Sequence, residues 1–164
     1  MSVIIRKGTA ADLPAAHRLI VELAIYEKAE HEVITTPEQM LQDGFGDRPA
    51  YGFYVAALTP TNQIVGMALY YTRYSTWKGR CLYLEDLIVT QDWRGKGIGK
   101  LLFDAIVREC LEQNMHMLTW QVLDWNTPAI EFYKRLGAHL DAEWLNGKLF
   151  RHQLEQWTFG HPRA

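Results

Sequence analysis

Residues 94–100 read Arg-Gly-Lys-Gly-Ile-Gly-Lys, with three alternating glycines. Before them stands an apolar run, Cys81-Leu82-Tyr83-Leu84-Glu85-Asp86-Leu87-Ile88-Val89. After them, Ile98, Leu101, Leu102, Ala105 and Ile106 share one helical face. The run predicts a central strand, apolar on both faces except at Glu85 and Asp86. The periodic segment predicts an amphipathic helix. Alternating glycines let the main chain approach a ligand closely and turn successive N–H groups toward one point. The helix start adds unpaired amides and the positive end of its dipole. Phosphate suits such a turn, and Arg94, Lys96 and Lys100 add positive charge. On pattern alone the same residues also suit a plain turn ahead of a packed helix.

Two common phosphate motifs are excluded. A P-loop needs Gly at 94 and Ser or Thr at 101, where Arg94 and Leu101 stand. The dinucleotide GxGxxG needs Gly at 100, where Lys100 stands.

The rest of the chain reads as alternating short elements. Val3 to Arg6 predicts a strand. Thr9-Ala10-Ala11-Asp12 resembles a capping box, and Leu13, Ala16, Leu19, Ile20 and Leu23 mark a helix reaching about Lys28. Thr36-Pro37 starts a second helix, ended by Gly44 and Gly46. Strands are expected at about 51–58, 64–74 and 81–89, with turns at Asn62 and at Trp77-Lys78-Gly79. A strand at 117–123, a helix from Pro128 to Leu136 and two closing strands near 139–146 and 148–157 complete the order. Hairpins dominate the middle, so the fold class is mixed α/β (α+β) and not a doubly wound parallel sheet. Residues 1–164 are expected to form one domain.

Acidic residues gather in 21–47, where Glu22, Glu27, Glu30, Glu32, Glu38, Asp43 and Asp47 face only Lys28. Basic residues gather in 93–108. The pattern fits two solvated faces, or one pole for a cation and another for an anion. The net charge of −2 gives no general reason to bind nucleic acid or an anionic membrane. Cys81 and Cys110 form no CxxC, and the six histidines show no ligand spacing, so no metal is expected. No apolar run reaches the roughly 18 residues that span a bilayer, and the start of the chain lacks a secretory apolar segment. The cytoplasm is the expected compartment.

Arg94-Gly95-Lys96-Gly97-Ile98-Gly99 resembles the Arg/Gln-x-x-Gly-x-Gly/Ala signature of the GCN5-related N-acetyltransferase (GNAT) superfamily. Further blocks resemble the diamine N-acetyltransferases, the spermidine/spermine group and its thialysine-acetylating relatives. These are Glu22-Leu23-Ala24-Ile25-Tyr26-Glu27, Asp43-Gly44-Phe45-Gly46, Leu82-Tyr83-Leu84-Glu85-Asp86, Trp125-Asn126 and Phe132-Tyr133-Lys134-Arg135-Leu136-Gly137-Ala138. The resemblance runs from about residue 3 to 152. It implies a mostly antiparallel sheet of six to seven strands with about four helices, its fourth and fifth strands splayed to admit a pantetheine arm.

It implies acetyl-CoA as cosubstrate. Leu87, Ile88 and Val89 would meet the arm, Arg94, Gly95, Lys96, Gly97, Ile98, Gly99 and Lys100 the diphosphate, and Asn126 the cofactor. Neutralising a primary ammonium of pKa about 10.4 at pH 7 costs about 4.6 kcal/mol, so a proton acceptor is needed. Glu85 matches the family's base, though a strand carboxylate also suits cation binding. Tyr133 matches the acid that protonates the departing thiolate. On periodicity alone Tyr133 joins Ile130 and Leu136 in a core stripe. Tyr26 and Glu27 match the amine site, and Asp86 and Trp120 border it. Departures fall on the acceptor side: Asp124 where Glu is frequent, Thr119 where animal polyamine enzymes carry His, and a poorly matching 141–146 in which Glu143 is the candidate carboxylate. The resemblance also implies a homodimer. Alternatives are a GNAT enzyme for another acceptor (protein lysine or N-terminus, amino acid, aminoglycoside) and a catalytically silent acetyl-CoA-binding regulator.

Overall fold

Ser2–Lys7 forms strand β1, and the side chain of Arg6 anchors the turn that leads out of it. The Arg6 guanidinium donates to both oxygens of Asp12, at 2.7 and 2.8 Å. Asp12 Oδ2 also accepts from the Thr9 amide and the Thr9 hydroxyl, each at 2.8 Å. Asp12 thus reaches back to the Thr9 amide as expected, and the turn launches helix α1, Leu13–Tyr26, after one turn of 3-10 helix. The computed structural model describes residues 2–158.

Two compact units divide the chain, Met1–Gln121 and Val122–Ala164. In the first, α1 is followed by α2 (Pro37–Phe45), whose cap Thr36 accepts from the Gln39 amide at 3.2 Å. Strands β2 (Gly52–Thr59), β3 (Gln63–Ser75) and β4 (Gly79–Val89), helix α3 (Ile98–Glu112) and strand β5 (Leu118–Thr119) complete the unit. Asn62 at φ 57° and Gly79 at φ 79° turn the chain between β2, β3 and β4. The sheet order is β1-β2-β3-β4-β5, antiparallel from β1 to β4 and parallel between β4 and β5.

Strand alternation gives each face its own helices. Phe53, Val55, Met67, Leu69 and Ile88 pack with Leu13, Ala16 and Leu19 of α1 and Met40 of α2. Burying each large side chain of this group contributes about 1.5–3 kcal/mol. The intervening positions serve α3: Tyr54 donates to buried Glu109 at 2.5 Å, and Lys7 pairs with the same carboxylate at 3.2 Å. Ile98, Leu102, Ala105 and Ile106 form the buried face of α3, as their spacing predicts.

The second unit contains helix α4, Thr127–Arg135, and the short helix α5, Arg151–Glu155. Here the structure corrects the sequence reading. Among the described residues the sheet has five strands, not six to seven. The strand expected at 117–123 is only Leu118–Thr119. The closing strands at 139–146 and 148–157 are absent: residues 138–150 have no regular structure, and α5 lies where the last strand was expected. Their apolar side chains stand in solvent, Trp144 at 75% and Leu145 at 97% exposure. Apolar spacing suits a strand, but a strand forms only where its N–H and C=O groups meet a ladder partner.

Candidate active site

An irregularity in β4 builds the acidic part of the site. Leu69 pairs with Asp86 and Tyr71 with Tyr83, while Tyr70 pairs with Leu84, so Glu85 is an extra residue opposite β3. Such a bulge resets the alternation of side chains. Leu69 packs in the α1 cluster, so Tyr71, Tyr83 and Asp86 lie on that face, with the Glu85 carboxylate near enough to raise the Tyr71 phenol. Two adjacent carboxylates, Glu85 and Asp86, therefore share the face against which α1 packs.

Glu27, just beyond the end of α1, is the third acid of this corner. The Asp86 carboxyl is pushed up to about 7, chiefly by burial and then by the charges of Glu85 and Glu27. Burial raises Glu27 as well. Tyr71 is pushed up to about 12 by burial and by Glu85. Tyr71 and Tyr83 stack with centroids 5.1 Å apart. Among the described residues, none of the three carboxylates forms an ion pair. Mutual repulsion in a partly desolvated corner makes this a place that favours an incoming cation.

Beside it, β4 loses its outer neighbour. The pairing with β5 covers only Leu82 with Leu118 and Tyr83 with Thr119, so among the described residues Leu84–Val89 has β3 on one side and no strand on the other. This is the parting of the fourth and fifth strands that the resemblance implies. The Thr90 amide bonds the Val65 carbonyl on the β3 side at 2.9 Å. By alternation the main-chain groups of Leu87 and Val89 point to the open edge, whereas those of Ile88 face β3. The Ile88 side chain, 3% exposed, belongs to the core.

The glycine turn comes directly after this edge. Beyond a 3-10 turn at Gln91–Trp93, Gly95 at φ 73° and Gly97 at φ 79° adopt left-handed conformations that other residues resist. A Cβ at either would meet nothing within 4 Å, so the turn opens onto free space. No side chain caps α3 at Gly97, which leaves its first amides available to an anion. The cationic side chains have local partners. Lys100 pairs with Asp104. Lys96 donates to the Asp92 carbonyl at 3.0 Å and lies 4.2 Å from the Trp93 ring centroid. Arg94 donates from Nε to the Val89 carbonyl at 2.8 Å, and its guanidinium sits 5.3 Å above the Tyr26 ring. Thus Tyr26, expected to offer its ring to an amine, here carries Arg94.

One residue was missed. Glu22 accepts from the Thr90 hydroxyl at 2.8 Å and the Gln91 amide at 3.1 Å, and faces Arg94 at 3.8 Å. The sequence placed it in the acidic stretch, at the head of the block Glu22 to Glu27 and one turn before Tyr26 on the same helical face, but gave it no role. Trp120, at the end of the first unit, packs edge-on against Phe103 at 5.4 Å.

Within the second unit, the Asn126 side-chain oxygen accepts from the Ala129 amide at 3.3 Å and so caps α4. Tyr133 is a buried residue of that helix, its ring 5.2 Å from Phe132. Glu143 is exposed, its amide bonded to Asp141 at 2.8 Å, in a stretch where residues 139–143 line a small cavity.

A parted strand edge, a glycine turn with open amides and an acidic corner agree with the sequence comparisons. A sequence model described as the acetyltransferase (GNAT) family matches residues 17–138. The chain belongs to the GNAT acetyltransferase family. It is an N-acetyltransferase of that family, whose members use acetyl-CoA. The cattle (Bos taurus) thialysine N-epsilon-acetyltransferase is 41% identical over 142 residues, covering 83% of this GNAT chain and 84% of that protein. The human (Homo sapiens) spermidine/spermine N(1)-acetyltransferase-like protein 1 is 35% identical over 158 residues, which are 93% of this chain and 23% of that longer one. The crystal structure of an aminoglycoside acetyltransferase from an uncultured soil metagenomic sample superposes with TM-score 0.75 at 22% identity, covering 90% of this chain and 97% of that one. This last likeness speaks for the fold alone. No described helix is long and apolar enough to cross a membrane.

Proposed function

We propose that this GNAT enzyme transfers the acetyl group of acetyl-CoA to a primary amine of a small diamine, polyamine or thialysine-like compound, as a single domain spanning residues 1–164. The observation that carries the acceptor class is the meeting of Glu27, Glu85 and Asp86 with no ion-pair partner among the described residues. The resulting upward push on Asp86 is relieved when a cation arrives. The polyamine and thialysine activities in the names of the relatives support the same reading.

The residues present fit acetyl-CoA. The open β4 edge at Leu87 and Val89, the amides of Gly95 to Lys100 and the side chain of Asn126 would hold it. When bound it supplies an acetyl thioester. The protein contributes charge and proton handling. Glu27 and Asp86 attract an ammonium, and Glu85, beside Asp86 on the bulge, takes the proton that must leave before nitrogen can attack. Tyr133, in the role the resemblance gives it, returns a proton to the departing sulfur. Trp120 and Tyr26 border the amine.

A second copy of the chain is part of this proposal. Trp144, Leu149, Phe150, Leu154 and Trp157 are each at least 47% exposed, an apolar set suited to burial between protomers. Sedimentation at micromolar concentration should give a dimer, and a monomer would refute that part. No nucleic acid or membrane is proposed as partner, and the cytoplasm is the proposed compartment. The deciding experiment tracks thiol release from acetyl-CoA against spermidine, putrescine, thialysine and lysine. At least one should react far faster than water, and a panel of blanks would overturn the acceptor class.

A further inference from the structure

Helix α1 carries the amine-side residues, and the connection from β4 to α3 carries the anion turn. Glu22 is where the two are tied. Its Oε2 accepts from Thr90 and its Oε1 from the Gln91 amide, at 2.8 and 3.1 Å. Arg94, facing the same carboxylate at 3.8 Å, is held on its other sides by the Val89 carbonyl at 2.8 Å and by the Tyr26 ring at 5.3 Å. Residues 89 to 94, which link the open strand edge to the first glycine, are thus fastened to the helix that ends in Tyr26 and Glu27. Glu22 and Arg94 are 34% and 41% exposed, and an ion pair so wet holds little by itself. A carboxylate that takes a hydroxyl and an amide while facing a guanidinium sets the position of a loop.

We propose that Glu22 is a positioning residue that sets the start of the anion turn and, through Arg94, the Tyr26 ring, so that one carboxylate orders both substrate sites. The amine half of this inference rests on the function proposed above; the coenzyme A half does not. With Glu22 in place the turn is ordered before the cosubstrate arrives. Without it, binding must do the ordering, and affinity falls while the chemical step in the filled site is unchanged.

Two variants test it. Glu22→Gln removes the charge and one hydrogen bond, and Thr90→Val removes the hydroxyl with little change of shape. Glu22→Gln should raise KM for acetyl-CoA about tenfold and KM for the amine in the same direction, with kcat at saturation within about twofold. Thr90→Val should move both the same way by less, and Thr90→Ser should restore them. A merely structural role would lower thermal stability and the active fraction, hence kcat, and leave both KM values alone. Unchanged KM in Glu22→Gln and Thr90→Val overturns the proposal. If Glu22→Gln does not fold, Thr90→Val still reads the same link. If the wild type acetylates no amine in the panel, the function reading fails. Calorimetry with coenzyme A alone then decides for Glu22: about tenfold weaker binding in Glu22→Gln supports it, and equal binding sinks it.

Discussion

Asp86 and Glu85 are sequence neighbours that a regular strand would send to opposite faces. The bulge at Glu85 puts them on one, and the consequence is thermodynamic. The Asp86 carboxyl, raised from 3.8 to about 7 by burial and by Glu85 and Glu27, resists ionisation in the folded protein. Because the folded value is the higher one, the native state loses stability as pH rises from about 4 to 7. Asp86→Asn should therefore stabilise the ligand-free enzyme by about 4 kcal/mol above pH 7 and change little below pH 4. It should also lower kcat/KM for the amine at least about tenfold, by removing a cation's partner. In the wild type kcat/KM should fall as pH drops below about 7, and that acid limb should vanish in the variant. Urea unfolding at several pH values and a pH–rate profile check the two halves. The sequence displayed Glu85 and Asp86 as an acidic break in an apolar run, but no glycine or proline announces the bulge that unites them. Glu22 was hidden for another reason: its partners lie 68 to 72 positions away in the chain.

Helix α1 is held near both ends, by Asp12 at its start and by Glu22 in its last turns. The Asp12 carboxyl is drawn down to about 2 by the Arg6 guanidinium, helped by the Thr9 amide and hydroxyl and opposed by burial. Its folded value lies below its ordinary one, so the stabilisation is complete above about 4 and disappears as pH falls toward 2. Asp12→Asn should cost about 1–2 kcal/mol at pH 7, allowing for solvent around Arg6, and the gap from wild type should close by pH 2. Acid titration of the helical circular-dichroism signal reads this directly. Thr9 to Asp12 was legible because a cap is local, with donor and acceptor three residues apart. So were the helices at 13, 37, 98 and 128, whose apolar spacing and Pro or Gly punctuation lie within one segment. The C-terminal strands were misread for the complementary reason. His139 to Trp157 has strand-like apolar spacing, yet its ladder partner would have to come from elsewhere, and periodicity carries no information about that. β5 shows the same effect in small: two residues pair with β4, and the parting that ends the pairing is what exposes Leu87 and Val89.

At the scale of the whole chain, ligand linkage tests whether 1–164 behaves as one domain. Residues proposed to hold acetyl-CoA come from both compact units: Leu87, Val89 and Gly95 to Lys100 from the first, Asn126 from the second. A ligand that binds only the native form stabilises it by about 2.7 kcal/mol at one hundred times its Kd. For a chain of this size that amounts to roughly 5–10 °C in Tm. If the two units unfold together, calorimetry should show one transition, and coenzyme A should move all of it upward. If they unfold separately, two transitions should appear, and the ligand should move only the one belonging to residues that bind it. Asn126→Ala sharpens the distinction. As the cap of α4 its loss costs about 1 kcal/mol wherever that helix belongs. In a single cooperative domain this lowers the whole transition, and with Asn126 a ligand of the cosubstrate it also shrinks the upward shift that coenzyme A produces. A second transition that coenzyme A leaves in place would instead confine its site to residues before 122 and remove Asn126 from the proposal.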